Sequence, residues 1–130
     1  MYDSSKYPEF AKKNSGTGTV KVQVFIANQA YPLKDIDIKI TKEIDGNEVI
    51  FFTGKTNSSG IIDDIKLPAE PAKEDIESAK DITYTTYNIT VTNPKSNTTK
   101  KYDIAVFDGM KIIQPINLPA LESDGSLWVL

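Results

Sequence analysis

The chain has no cysteine and no histidine, so it can hold neither a disulfide nor a thiolate zinc site. It also lacks the commonest general base and the commonest transition-metal ligand. All 15 positive charges are lysine, and without arginine there is no planar fork for bidentate recognition of phosphate, carboxylate or guanine. A net charge of -3 with scattered lysines argues against nucleic acid as a partner. No apolar run approaches the roughly 20 residues that span a bilayer. The opening MYDSSKYPEF lacks the basic and apolar blocks of a secretory signal, which leaves a cytosolic location, another export route or a missing leader open.

What is present is isoleucine, lysine, asparagine and threonine in short alternating runs. With 130 residues the chain fits one domain whose core needs no covalent staple. "VKVQVFIA" puts Val20, Val22, Val24 and Ile26 on one face and Lys21, Gln23 and Phe25 on the other. "DIDIKI" repeats the pattern with Ile36, Ile38 and Ile40, and Asp45–Asn47 is a hairpin signal into "EVIFFTGKT". "GIIDDIKL", "TYTTYNITVT", "KKYDIAVF" and "MKIIQPINL" follow, punctuated by NSSG, NPKSN and DG. These runs predict seven short strands and an antiparallel Greek-key β-sandwich. At most one helical turn is expected, in "PAKEDIESAK". Residues 1–18 read as a flexible arm, 19–121 as the sandwich and 122–130 as an apolar tail.

Several patterns invite a functional reading. Asp63 and Asp64, beside the small-residue loop Asn57–Gly60, form a paired-carboxylate candidate. In a strand of period two they point to opposite faces and cannot share an ion unless the strand bulges, so the stretch reads as a turn leading into a strand. Asp35 with Asp37, Asp45 with Asn47, and Asp108 are the oxygen donors available to calcium, but none has EF-hand spacing, and polar hairpin ends explain them. Lys21 and Asn117 stand where a Lys–Asn isopeptide bond between first and last strands would need them, although Lys21 alternates away from the valine face. Sequons occur at Asn57, Asn88 and Asn97. Phe51, Phe52, Tyr84 and Tyr87 are candidates for a sugar platform or for core. The surface candidates are Phe25, on the polar face of its strand, and the terminal Leu127, Trp128, Val129 and Leu130, an apolar end that needs a cover.

The order of several pieces resembles the carboxypeptidase regulatory-like group of prealbumin-like (transthyretin-like) β-sandwiches. The resemblance runs from Thr19 to Pro119 through Thr19–Val24, Tyr31–Leu33, Thr56–Gly60, Leu67–Ala69, Tyr84–Ile89, Phe107–Gly109 and Gln114–Pro119. It is similar to a non-catalytic module found with peptidoglycan-binding and cortex-lytic regions in spore-forming Gram-positive bacteria. Asn93–Asn97 replaces the Gly-Tyr step usual there. The resemblance implies a scaffold or interaction role on a cell or spore surface, with no catalytic residue, cofactor or metal. Its implied partners are protein, either self or a cell-envelope component, or peptidoglycan. The hydroxyisourate hydrolases, an enzymatic branch of the same fold, depend on histidines, an arginine and a C-terminal Tyr-Arg-Gly-Ser, none of which occurs here.

Overall fold

The valines of the first alternating run are fully buried, and two sheets are built around them. The structure is a computed structural model and describes residues 1–26, 31–74, 77–78 and 81–119. A short helix α1 (Pro8–Lys13) precedes β1 (Gly16–Ile26), β2 (Tyr31–Pro32), β3 (Asp37–Ile44), β4 (Asn47–Lys55), β5 (Ile61–Ala69), β6 (Thr85–Asn93), β7 (Thr98–Val106) and β8 (Lys111–Leu118). One sheet has β1 at its centre, with β5 and the two-residue β2 on one side and β8 on the other. The second sheet runs β4-β3-β6-β7. The chain passes between sheets after β2, β4, β5 and β7. The seven runs expected from sequence are all strands, and Tyr31–Pro32 adds an eighth. Every pairing is antiparallel except β1 with β8, which is parallel.

Period-two burial makes the core. Val20, Val22, Val24 and Ile26 from β1, Ile65 and Leu67 from β5, and Ile116 and Leu118 from β8 meet Ile38, Ile40, Tyr87, Ile89, Val91, Ile104 and Val106 of the other sheet. The Tyr87 hydroxyl crosses the sandwich and donates to the Pro68 carbonyl at 2.5 Å. Burial pushes that hydroxyl far above the ordinary tyrosine range.

The sequence reading needs correction at three places. The sandwich begins at Gly16, ahead of Thr19, because Gly16 and Gly18 allow β1 to run close against the β7–β8 turn. A Cβ on Gly16 would fall 2.5 Å from the Asp108 carboxyl, and one on Gly18 2.3 Å from Val106. The residues before it, expected as an arm, fold back as α1, which starts on Pro8 and ends on Asn14. Tyr2 stacks on Phe51 with centroids 4.4 Å apart, and Phe10 meets Tyr2 edge-on at 5.5 Å. Asn14 fixes the end of the segment: its Nδ2 donates to the Phe10 carbonyl at 3.0 Å, and its Oδ1 accepts from the Thr85 hydroxyl at 2.6 Å. Of the stretch expected to hold a helical turn, residues 75–76 and 79–80 lie outside the described residues. The Asp81 carboxylate there accepts from the Glu77 and Ser78 amides.

The third correction is that two strands bulge. Val20 and Val22 pair with Ile65 and Ile62, so two residues of β5, Asp63 and Asp64, face Lys21 alone on β1, and Asp64 takes φ 55. In β4, Ile40 and Thr41 pair with Phe52 and Ile50, leaving Phe51 as the extra residue. Both Phe51 and Phe52 can therefore pack on the core, which strict alternation would forbid.

Candidate interaction surface

Asn57–Gly60 is a turn. The Asn57 Oδ1 accepts from the Ser59 and Ile61 amides at 2.9 and 3.0 Å, and Gly60 N–H closes on the Asn57 carbonyl at 2.9 Å. Gly60 has φ 74, and a Cβ there would stand 2.5 Å from the Val24 carbonyl, so the position requires glycine. The condition that would let Asp63 and Asp64 share an ion, a bulge, is met. The Asp63 carboxylate is nonetheless engaged, accepting from the Asp64 amide at 2.7 Å and pairing with Lys111 Nζ at 2.8 Å. The Lys111 hydrogen bond, the Asp64 amide and the charges of Lys111 and Lys21 hold its pKa below the usual carboxylate value.

The acids considered for calcium also have structural places. Asp37 pairs with Lys55 at 2.5 Å. Asp35 and Asp45 are turn residues at φ 59 and 52. Asp108 accepts from the Thr17 and Ala72 amides at 3.1 and 3.0 Å, which lowers its pKa and ties the β7–β8 turn to the start of β1. Among the described residues no three acids converge on a cation position.

The parallel register pairs Lys21 with Ile113 and Phe25 with Asn117. Lys21 and Asn117 are thus four residues apart along the strands, about 13 Å, too far for an isopeptide bond. Of the aromatic candidates, Tyr87 is core and Phe51 lies between Tyr2 and Tyr87. Tyr84 is 50% exposed beside Phe107, with centroids 5.7 Å apart.

Phe25 lies half-buried on the outer face of the β5-β1-β8 sheet. Its neighbours across the strands are Asn117 on β8 and Pro32 on β2, and the next row is Pro115, Gln23 and Ile61. Ile113, 57% exposed, sits opposite Lys21. At the far end Lys111 and Lys66 flank Thr19. The face is therefore apolar towards the Leu118 end and charged towards the Lys111 end, where Asp63 pairs with Lys111 beside Lys21 and Lys66. Leu127, Trp128, Val129 and Leu130 lie outside the described residues.

This face borders an open edge. Thr19 N–H bonds the Met110 carbonyl. By strand alternation, residues 112, 114, 116 and 118 then turn their backbone groups to β1, while Lys111, Ile113, Pro115 and Asn117 turn theirs away. Among the described residues no strand pairs with that side of β8. Sequence reasoning passed over Ile113 and this edge. Pro115 was the available signal, because proline inside a strand belongs at an edge, where its missing N–H breaks no ladder.

No family model matches the sequence, and no curated protein matches it either. Solved structures do match in shape. The 5-hydroxyisourate hydrolase of Klebsiella pneumoniae superposes with a TM-score of 0.51 at 13% identity, covering 78% of this chain and 90% of that one. The shaft pilin SpaA of Lactobacillus rhamnosus GG gives 0.52 at 16% identity over 79% of this chain, which spans 50% of the pilin chain. An (S)-allantoin synthase gives 0.51 at 11% identity, covering 82% of this chain and 42% of that one. Likeness at these identities is likeness of fold, shared by enzymes and a pilin alike: the chain has a prealbumin-like (transthyretin-like) β-sandwich fold.

Proposed function

We propose that this chain is a non-enzymatic structural or interaction module of a Gram-positive cell or spore surface, and that it self-associates through an open sheet edge. The observation that carries the reading is β8. Its outer backbone groups face no strand among the described residues, and its flank exposes Ile113 and Pro115 beside Phe25. An edge of this kind is a template for another strand, and the apolar flank adds burial to the pairing. The N-terminal segment is folded onto its own sandwich and covers the β4 side, away from this edge. That a shaft pilin is built on the same fold supports a role as a subunit. The carboxylates of Asp37, Asp63 and Asp108 are engaged by lysines and backbone amides, which supports a non-catalytic reading of those candidates.

Size-exclusion chromatography with light scattering, across a dilution series of the full chain, tests the proposal. Mass that grows with concentration is the expected result, and a monomer at every concentration overturns it.

A second reading, an accessory module that binds peptidoglycan, is favoured by the exposed Tyr84 against Phe107, a surface on which a sugar ring can stack. It requires the protein to sediment with purified cell wall and Tyr84→Ala to abolish that sedimentation.

A further inference from the structure

Among the described residues four long strands, β4, β5, β7 and β8, lie at sheet edges beside the two-residue β2, and they are not equally protected. On β4 the Tyr2 amide donates to the Ile50 carbonyl at 2.6 Å, and the bulge at Phe51 bends the strand beneath the Tyr2 ring. On β5 the Asp63–Asp64 bulge and Pro68 interrupt the edge, and residues of the N-terminal segment share a cavity of about 460 Å³ with Lys66, Leu67 and Pro68. The β7 edge strand carries three charges, Lys100, Lys101 and Asp103, within four residues along its middle. These are the ordinary defences against edge pairing. β8 has fewer: its one charge, Lys111, is held by Asp63, and its one interruption is Pro115.

We propose that the occupant of the β8 edge is the C-terminal stretch 120–130 of a second copy of this chain, laid along Ile113–Asn117 as an added strand. The inference rests on the self-association reading above and names its two halves. Eleven residues, 120–130, follow Pro119, an extended reach of roughly 36 Å against about 26 Å for the eight residues of β8. Leu127, Trp128, Val129 and Leu130 match the apolar flank made by Phe25, Ile113 and Pro115. Glu122 and Asp124 complement Lys21 and Lys66 at the end where Lys111 is paired with Asp63.

The choice of a second copy follows from two features of the sequence. Leu118 precedes a proline, which favours an extended backbone and carries the chain onward from β8. The Asp124-Gly125 step is the only tight-turn signal beyond it, and a two-residue turn there would set 126–130 opposite 123–119 and not opposite Ile113. The edge of another molecule has no such constraint.

Because the chain has no cysteine, single introduced thiols report cleanly. Full-length Ile113→Cys and Val129→Cys chains are mixed and treated with a short bis-maleimide. A covalent heterodimer in excess of either homodimer is the expected result. If the double variant Ile113→Cys/Val129→Cys instead links only within one chain at every concentration, the second copy is the wrong occupant. Assembly in light scattering without the heterodimer overturns the edge assignment while leaving self-association standing. A monomer at all concentrations with no cross-link overturns both.

Asn117→Pro supplies a second test. It removes an edge donor without touching the β1 ladder, so the far-ultraviolet circular dichroism should be unchanged while self-association weakens about tenfold. Unchanged association in a folded Asn117→Pro protein would sink the proposal.

Discussion

The β4–β5 side of the sandwich and the β8 edge present the same problem, an exposed row of backbone groups, and the molecule treats them differently. Along β4 and β5 the chain uses its own first fifteen residues: Tyr2 caps a carbonyl and stacks on Phe51, Phe10 packs behind it, and Asn14 clasps Thr85. Along β8 the described residues supply no cover, only Pro115 and the ion pair of Lys111 with Asp63. The difference teaches that edge protection here is local. One side is part of the fold's stability, whereas changes on the other should alter association and leave stability nearly untouched.

Phe51→Ala should have the largest effect, because it removes the ring between Tyr2 and Tyr87. A loss of about 3 kcal/mol in urea unfolding is expected, and a loss below about 1 kcal/mol would mean the covered side is no more integral than the open one. Gly60→Ala forces a side chain into φ 74 and against the Val24 carbonyl. About 2 kcal/mol of destabilisation is expected, read in the same assay. Asn14→Ala breaks the clasp on Thr85 and should cost about 1 kcal/mol, with earlier proteolysis of residues 1–15 as its signature. Ile113→Asp should fall within about 0.5 kcal/mol of the parent in unfolding while reducing self-association, and the reverse pattern would erase the contrast between the two sides.

pH sharpens the same contrast. The Tyr87 hydroxyl, raised by burial, stays protonated in the fold while the unfolded chain ionises near pH 10. Its contribution is complete below the unfolded value and falls as pH rises above it. Tyr87→Phe should therefore flatten the alkaline limb of the stability curve. Asp108, lowered by the Ala72 and Thr17 amides, contributes above the unfolded carboxylate value near 3.9 and loses that contribution as pH falls through its folded value. Asp108→Asn should flatten the acid limb, and an unchanged limb would show that the two hydrogen bonds contribute nothing to folding.

Strand positions were legible because burial on one face imposes period two, which isoleucine and valine record directly from Val20 to Ile26 and from Ile36 to Ile40. The Asn57–Gly60 turn was legible because its bonds are local and its glycine is obligatory. Helix α1 was not, since six residues are too few for propensity or periodicity to register, and it is held by aromatic contacts with β4. The outward position of Phe25 could be read from alternation, but its neighbours Ile113 and Pro115 could not, because they arrive from a strand nearly ninety residues later in a parallel register.

The sequence alone determined the two-layer β architecture, the seven long strands and the inward residues Val20 to Ile26 and Ile36 to Ile40, because alternation and turn chemistry act over a few residues. Tertiary structure decided the bulges at Asp63–Asp64 and Phe51, the folding back of residues 1–15, and which edge of the sandwich is left uncovered among the described residues. Those features depend on register between distant strands, where one residue more or less is set by how the two sheets pack together.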